Sequence, residues 1–190
     1  MQLTPMMEQY GRLKAKAGDA LLFFRMGDFY ELFQDDALVA SKALNIVLTA
    51  RNKQDDSPIP MCGVPIHSAE NYIDRLVQQG FKVAIAEQLE DPQQAEGLVK
   101  RDLVRIITPG TVLSGGSLTP KEHNFLASIA VDCTGAGFAY LDVTTGTFAV
   151  TTWEGQDWQG ALSREWSRVQ PRELLIPGSG DSIPEALQRI

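Results

Sequence analysis

Apolar and polar positions divide this chain into two stretches with different grammar. At the start, Thr4-Pro5 reads as a helix cap followed by proline at the first helical position, and the helix is predicted to run to about Lys16, with Lys14 and Lys16 favouring its end and Gly18 stopping it. Ala20 to Met26 is a continuous apolar run of strand length, the pattern of a strand covered on both faces. Gly27-Asp28 breaks it. After Phe29-Tyr-Glu-Leu-Phe33, the pair Asp35-Asp36 opens a predicted helix of about ten residues that ends near Leu44-Asn45. Ile46 to Thr49 reads as a short strand and residues 51–58 as a polar loop. Pro58-Ile-Pro-Met-Cys-Gly-Val-Pro65 reads as a stiff loop and not a central strand, because proline fixes φ and removes a donor. Ser68 is placed to cap a helix in which Ala69, Tyr72, Ile73, Leu76 and Val77 share one face, ending at Gly80. Strands at Phe81 to Glu87 and at about Asp102 to Ile107 complete the stretch.

Strands alternating with helices predict an α/β domain with a partly parallel sheet over residues 1–112, and Leu113 to Pro120 reads as a flexible linker. Beyond it, residues 121–190 read differently. Three successive strands are predicted at Phe125 to Asp132, Phe138 to Thr144 and Thr147 to Thr152, joined by tight turns at Thr134-Gly-Ala-Gly137 and Thr145-Gly146. A helix follows in which Trp158, Leu162, Trp166 and Val169 share a face, then a strand at Glu173 to Ile176 and, from Ser182, the start of another helix. A βββαβ run with an unfinished helix predicts a domain cut short.

Composition narrows the function classes. Seventeen basic against 24 acidic residues give a net charge of −7, which argues against holding nucleic acid through bulk positive charge. No apolar run is long enough to span a bilayer, and the first residues lack the basic-then-apolar pattern of a signal peptide. Cys62 and Cys133 are too few for a disulfide framework or a Cys-rich zinc site, which fits a reducing cytoplasm. A phosphate-binding G-x-x-x-x-G-K-[ST] loop, a GxSxG elbow, an HExxH pair and a CxxC pair are all missing from the sequence.

Three groups of residues retain candidate chemistry. Asp28, Glu31, Asp35 and Asp36 have the oxygen donors Mg²⁺ prefers, although acids in the first turn of a helix also serve its dipole. Asp132 and Asp142, on adjacent predicted strands, offer a second carboxylate pair, and the two sets define an alternative reading as a metal-dependent nuclease or resolvase. The third group is aromatic. Phe23, Phe24, Phe29, Tyr30 and Phe33 fall within eleven residues, more than one short core segment needs. If the backbone is extended after Gly27-Asp28, Phe29 and Glu31 project on one side, a flat ring beside a hydrogen-bond acceptor. Such a pair suits entry into a base stack; the alternative, and the commoner outcome for such a cluster taken alone, is that all five rings pack inside and the glycine only makes a turn.

Gly27-Asp-Phe-Tyr-Glu31, with Thr4-Pro-Met-Met7 before it and Pro58-Ile-Pro-Met-Cys-Gly-Val-Pro65 and Arg105-Ile-Ile-Thr-Pro-Gly-Thr111 after it, resembles the N-terminal region of the MutS family of bacterial DNA mismatch-repair proteins. Leu141-Asp-Val-Thr-Thr-Gly146 extends the likeness through the second stretch, and Cys62 stands where many of that family carry alanine. The resemblance implies a mixed-sheet α/β mismatch-recognition domain followed by an incomplete, ribonuclease-H-like connector domain of βββαβ order. It implies that Phe29 wedges beside a mispaired or unpaired base from the minor groove and that Glu31 hydrogen-bonds that base. Around them, Arg51, Lys53 and Arg105 are candidates for phosphate contacts, and Met61, with Pro60 and Pro65, for a rigid apolar wall. The implied partners are double-stranded DNA with mismatches or small insertion/deletion loops, a second copy joined through regions outside these residues, and the downstream repair protein MutL through the connector. ATP and Mg²⁺ belong to the ATPase region of the full-length family, with no cofactor and no catalysis expected in this segment.

Overall fold

The computed structural model describes residues 4–52, 57–93, 95, 97–112, 122–155 and 158–177, and the chain forms two compact units, the first reaching Thr108 and the second starting at Pro109. In the first, helix α1 (Pro5–Ala17) begins as its sequence dictates: Thr4 is extended, its hydroxyl accepts from Met7 N at 3.4 Å, and Gly18 closes the helix at a φ of +62°. The apolar run becomes β1 (Leu21–Met26), paired antiparallel with β2 (Phe29–Phe33). Helix α2 (Gln34–Leu44) follows at once, and Asn45 ends it in the left-handed conformation.

Two expectations fail in the next stretch. The strand forms at β3 (Thr49–Arg51) and not over Ile46–Thr49, because residues 46–48 leave the helix before reaching a neighbouring strand, with Val47 82% exposed. The proline-rich segment is itself a strand, β4 (Ile59–Pro65), with β3 on one side and β2 on the other. Its prolines are tolerated because the ladder to β2 uses only Met61 to Pro65, so Pro60 lies outside it and Pro65 is its last pair.

After a 3₁₀ turn at Ile66–Ser68, α3 (Ala69–Gln78) buries Ala69, Ile73, Leu76 and Val77, while Tyr72 is half-buried. Ser68 stands at the cap position, but its hydroxyl donates to Pro65 O at 3.2 Å and does not cap the helix. Strands β5 (Val83–Gln88) and β6 (Arg101–Ile107) complete a six-stranded sheet of order β3-β4-β2-β1-β5-β6, with β1 and β5 parallel and every other pair antiparallel. The sheet is therefore mixed, as the alternation of strands and helices predicts.

Alternation assigns the faces. Leu22, Phe24, Phe33, Ala84 and Ala86 pack with Met6, Met7, Tyr10 and Leu13 of α1. Cys62, buried on the opposite pleat, meets α2 at Ala37 O, 3.6 Å away. Asp36 ties these parts together. One of its oxygens accepts from Leu22 N at 2.9 Å and lies 3.2 Å from the Tyr10 hydroxyl, while the other pairs with Lys14 Nζ at 2.8 Å. Burial and the Asp36 charge push the Tyr10 phenol far above its ordinary value, so it stays a donor. Asp36 is thus a structural hub, its carboxylate engaged by Leu22, Tyr10 and Lys14.

In the second unit, β7 (Phe125–Val131), β8 (Gly135–Asp142) and β9 (Thr147–Glu154) form an antiparallel meander, α4 (Trp158–Val169) follows, and β10 (Glu173–Leu175) returns parallel to β7. This is the predicted βββαβ order, in a sheet ordered β10-β7-β8-β9. Asn124 donates to Pro109 O at 3.0 Å and Gly110 N to Glu173 at 2.9 Å, so the residues just past Thr108 belong with this unit. The predicted linker at 113–120 and the final helix from Ser182 lie outside the described residues.

Gly135 and Gly137 belong to β8 and not to a turn; a Cβ on Gly135 would fall 1.9 Å from Trp153 O. The turn is Asp132 to Thr134, with Asp132 Oδ1 accepting from Thr134 N, Thr134 Oγ1 and Gly135 N. Asp142, fully buried, does the same at the other end of β8, accepting from Thr144 N and Oγ1, Thr145 N and Asn124 N, with His123 Nδ1 at 2.9 Å. An eight-residue strand, roughly 25 Å, separates the two carboxylates, so they do not form the pair expected of a nuclease.

Two outcomes follow from these hubs. Asp36→Ala strands the Leu22 amide and removes the counter-charge of Lys14, whose ammonium keeps Ala20 O, and should cost about 3 kcal/mol in urea unfolding followed by circular dichroism. For Asp142, burial alone would raise the carboxyl, but hydrogen bonds from Thr144, His123 and Asn124 outweigh it and hold the group well below the ordinary range. Its contribution is complete above the unfolded value of about 3.9 and disappears as pH falls below it. All three tryptophans lie in this unit, so Asp142→Asn should lower its fluorescence-monitored stability at pH 7 and flatten the loss on acidification.

Candidate nucleic-acid interface

Gly27 and Asp28 alone connect β1 to β2, since Met26 pairs with Phe29 across the turn. The φ of +57° at Gly27 is what a two-residue hairpin demands and what side chains other than hydrogen resist. Arg25 Nε donates to Gly27 O at 2.6 Å, and Ile66 N donates to Asp28 O at 3.0 Å, so the tip is held from both sides. Immediately after it stands Phe29, 47% exposed, between Met26 on β1 and Pro65 on β4. The other four clustered aromatics, Phe23, Phe24, Tyr30 and Phe33, are buried. The segment is therefore core everywhere except at its tip.

Two positions along the same pleat, Glu31 lies between Phe24 and the exposed Gly63. A Cβ on Gly63 would stand 3.2 Å from Tyr30 O and 3.7 Å from Glu31 Cγ, so the glycine leaves the carboxylate uncrowded. Glu31 Oε2 is buried and accepts no hydrogen bond. Arg51 Nη1 approaches it at 3.5 Å, close enough to attract but not aligned to donate. Burial pushes the Glu31 carboxyl above its ordinary value, and the charges of Arg51 and Arg101 pull it part of the way back.

Arg101 is the residue that sequence reasoning missed. Its guanidinium is buried 4.8 Å over the Phe24 ring, donates from Nε to Arg25 O at 2.7 Å and from Nη1 to Gln9 Oε1 at 3.0 Å and Val99 O at 2.9 Å, and meets Met26 Sδ at 3.4 Å. An arginine between Lys100 and Asp102, at the charged start of a strand, carries no signal of burial. On the opposite pleat, the Tyr30 hydroxyl donates to Glu87, which also pairs with Arg25 at 3.4 Å. Burial and Glu87 push the Tyr30 phenol up to about 12.

The other candidates divide. Arg51 ends β3 on the Glu31 side, 5.9 Å over the Phe33 ring. Met61, Gly63 and Pro65 line the pleat of Phe33, Glu31 and Phe29, with Met61 partly buried against the α1 core, whereas Pro60 occupies the opposite pleat. Lys53 lies outside the described residues. Arg105 is not brought to the site: it is exposed on the outer strand β6 opposite Ile85, on the other pleat and roughly 14 Å of sheet from β2. Asp28 is at the turn and Asp36 is held by Lys14, and among the described residues no three metal-binding side chains converge.

Comparison with known proteins assigns both units to one family. The family model described as MutS domain I matches residues 4–116, and that of MutS domain II matches residues 124–190. The chain is 52% identical over 175 residues to a protein of Halothermothrix orenii named DNA mismatch repair protein MutS, covering 92% of this chain and 19% of the relative. A protein of the same name from Staphylococcus aureus strain JH9 is 46% identical over 187 residues, covering 98% of this chain and 21% of the relative. The chain thus spans about a fifth of the length of the curated relatives it matches. With domain I carrying the exposed Phe29 and half-buried Glu31, and domain II following it, the chain belongs to the MutS family.

Proposed function

We propose that this segment detects mismatched and unpaired bases in duplex DNA by testing how readily a base step opens. The observation that carries the reading is an aromatic ring left in solvent on a clamped hairpin, with a carboxylate beneath it whose inner oxygen has no hydrogen bond. Inserting Phe29 from the minor groove unstacks a step and kinks the helix, which costs a few kcal/mol. A mispair or an unpaired base has already met part of that cost, while a well-paired step has not. Selection then rests on deformability and needs no sequence code.

Glu31 supplies the second criterion. Ionised, it accepts from a base imino N–H; protonated, it donates to a purine ring nitrogen, and both contacts strengthen where water is excluded. Arg51, 3.5 Å from it, turns outward to a phosphate in this reading when a base takes its place at the carboxylate. A net charge of −7 leaves most phosphate neutralisation to regions outside this chain. ATP and Mg²⁺ chemistry, pairing of two copies, docking of MutL and a cytoplasmic setting are proposed for the whole protein on the strength of the family alone.

In a protein of the relatives' full length carrying this segment, Phe29→Ala should fold normally and lose about 1–3 kcal/mol of mismatch affinity, with little change on paired duplex. Unchanged discrimination would remove the wedge. Glu31→Gln should keep or tighten binding to paired DNA and erode the preference. The same substitution has a stability signature in this chain. A carboxyl whose folded value is raised loses stability as pH climbs through the window between its unfolded and folded values. Glu31→Gln should therefore raise the urea midpoint at neutral pH, and the gain should vanish at acid pH, where wild-type Glu31 is already protonated.

A further inference from the structure

A buried guanidinium is an expensive way to fill a gap between α1 and β6, since an apolar side chain of similar volume would hold the two at lower cost. Arg101 spends its donors selectively. Nε fixes Arg25 O and Nη2 meets Met26 Sδ, so two of its contacts fall on the last two residues of β1 before the Gly27-Asp28 turn. Its plane covers Phe24, the cross-strand partner of Glu31, and its charge acts on Glu31. Gln9 of α1 and the carbonyl of Val99 hold the remaining edge, and Gln9 in turn donates to Val99 O at 3.2 Å. The guanidinium is thereby fixed in one orientation by a helix, by the segment leading into β6 and by the base of the hairpin. Arg25, on the other side, reaches Gly27 O while Glu87 steadies it.

We propose that Arg101 is the positioning residue of the reading hairpin: it clamps the end of β1 so that Phe29 and Glu31 meet the duplex as one rigid unit, and from the face of Phe24, the cross-strand partner of Glu31, it supplies a buried positive charge to that end of the sheet. This rests on the proposed role of Phe29 and Glu31 and adds how their geometry and charge are kept. Pre-organisation matters here because the wedge is selective only if bending the protein costs more than opening a weakened base step. A tip able to yield would lie against paired and mispaired steps alike. Among the charged groups acting on Glu31, Arg51 comes from β3 and is partly exposed, while Arg101 comes from β6 and is buried, so Arg101 is the one that ligand binding does not displace.

The test compares Arg101→Lys, Arg101→Met and Phe29→Ala in a protein of the relatives' full length that carries this segment. Affinities for a paired duplex and for the same duplex with one mismatch are measured from pH 5 to pH 9, with urea unfolding alongside. Lysine keeps the charge but not the planar fork, so Arg101→Lys should reduce the ratio of mismatch to paired affinity by about 10-fold, while the pH at which the ratio changes stays near wild type. Arg101→Met removes both. It should reduce the ratio at least as much and move that pH upward, since Glu31 then lacks its buried counter-charge.

A purely structural Arg101 would lower the urea midpoint and weaken both duplexes equally, leaving the ratio and pH profile unchanged, and that result overturns the inference. If Arg101→Met does not fold, Arg101→Lys decides alone: a wild-type ratio overturns the proposal and a reduced one supports it. Loss of discrimination in Phe29→Ala with wild-type ratios in both Arg101 variants overturns this inference and spares the wedge. Full discrimination in Phe29→Ala overturns both.

Discussion

Everything distinctive in the first unit follows from a two-residue connection. Because Met26 and Phe29 face each other across Gly27-Asp28, β2 begins at the turn itself, and its alternation is fixed from the first residue. Tyr30 and Leu32 must then point to the α2 side, and Phe29, Glu31 and Phe33 to the α1 side. Helix α1 covers that face near Phe33 and Phe24, where Tyr10 packs edge-on against both rings, but Phe29 stays exposed. One more residue in the turn would shift the register, bury Phe29 and Glu31 on the wrong pleat, and expose Tyr30 and Leu32 in their place. The hairpin thus sets the fold's core and its exposed ring in a single step.

The same pleat brings a second constraint. A carboxylate in the row of Phe33 and Phe29 has to be partly desolvated, and desolvation disfavours its charge. The chain answers with two arginines of different character. Arg51 is half-buried and not aligned to donate, so it balances charge while remaining replaceable. Arg101 is enclosed and fully engaged. This local balance coexists with an acidic molecule, and the two are compatible because each acts over a different range. Surface charges are screened beyond about 10 Å at ordinary ionic strength, whereas the interactions around Glu31 operate within a few ångströms and out of water.

How much of this the sequence discloses depends on how local each determinant is. Thr4-Pro5, Gly18 and the Ala20–Met26 run name their elements because cap chemistry and two-sided burial act on neighbouring residues. The exposure of Phe29 is foreshadowed by an excess of aromatics beside a glycine turn, although only the register shows which ring is left out. β4 is hidden because Pro60 and Pro65, with Pro58 just before it, argue against a strand, and their harmlessness depends on which partner residues they face. The roles of Asp36 and Asp142 are hidden for the same reason: their partners are 14 to 26 residues away in one case and include His123, 19 residues away, in the other. Arg101 is least visible of all. Its contacts with Arg25, Met26 and Gln9 span 75 to 92 residues, and nothing adjacent to it in sequence announces them.

These long-range contacts explain why a reading device would be built on a sheet and not on a loop. A loop tip can carry an exposed phenylalanine at little cost, but its conformational freedom lets it comply with any surface it meets. Here the tip is joined to the turn after β4 through Ile66 and Asp28, to β5 through Arg25 and Glu87, and to β6 through Arg101. To move Phe29 by a few ångströms, several of those contacts would have to break together, and each is worth on the order of 1 kcal/mol or more where it is buried. Under the proposed reading, the strain of an encounter would then fall on the duplex, whose compliance varies with pairing.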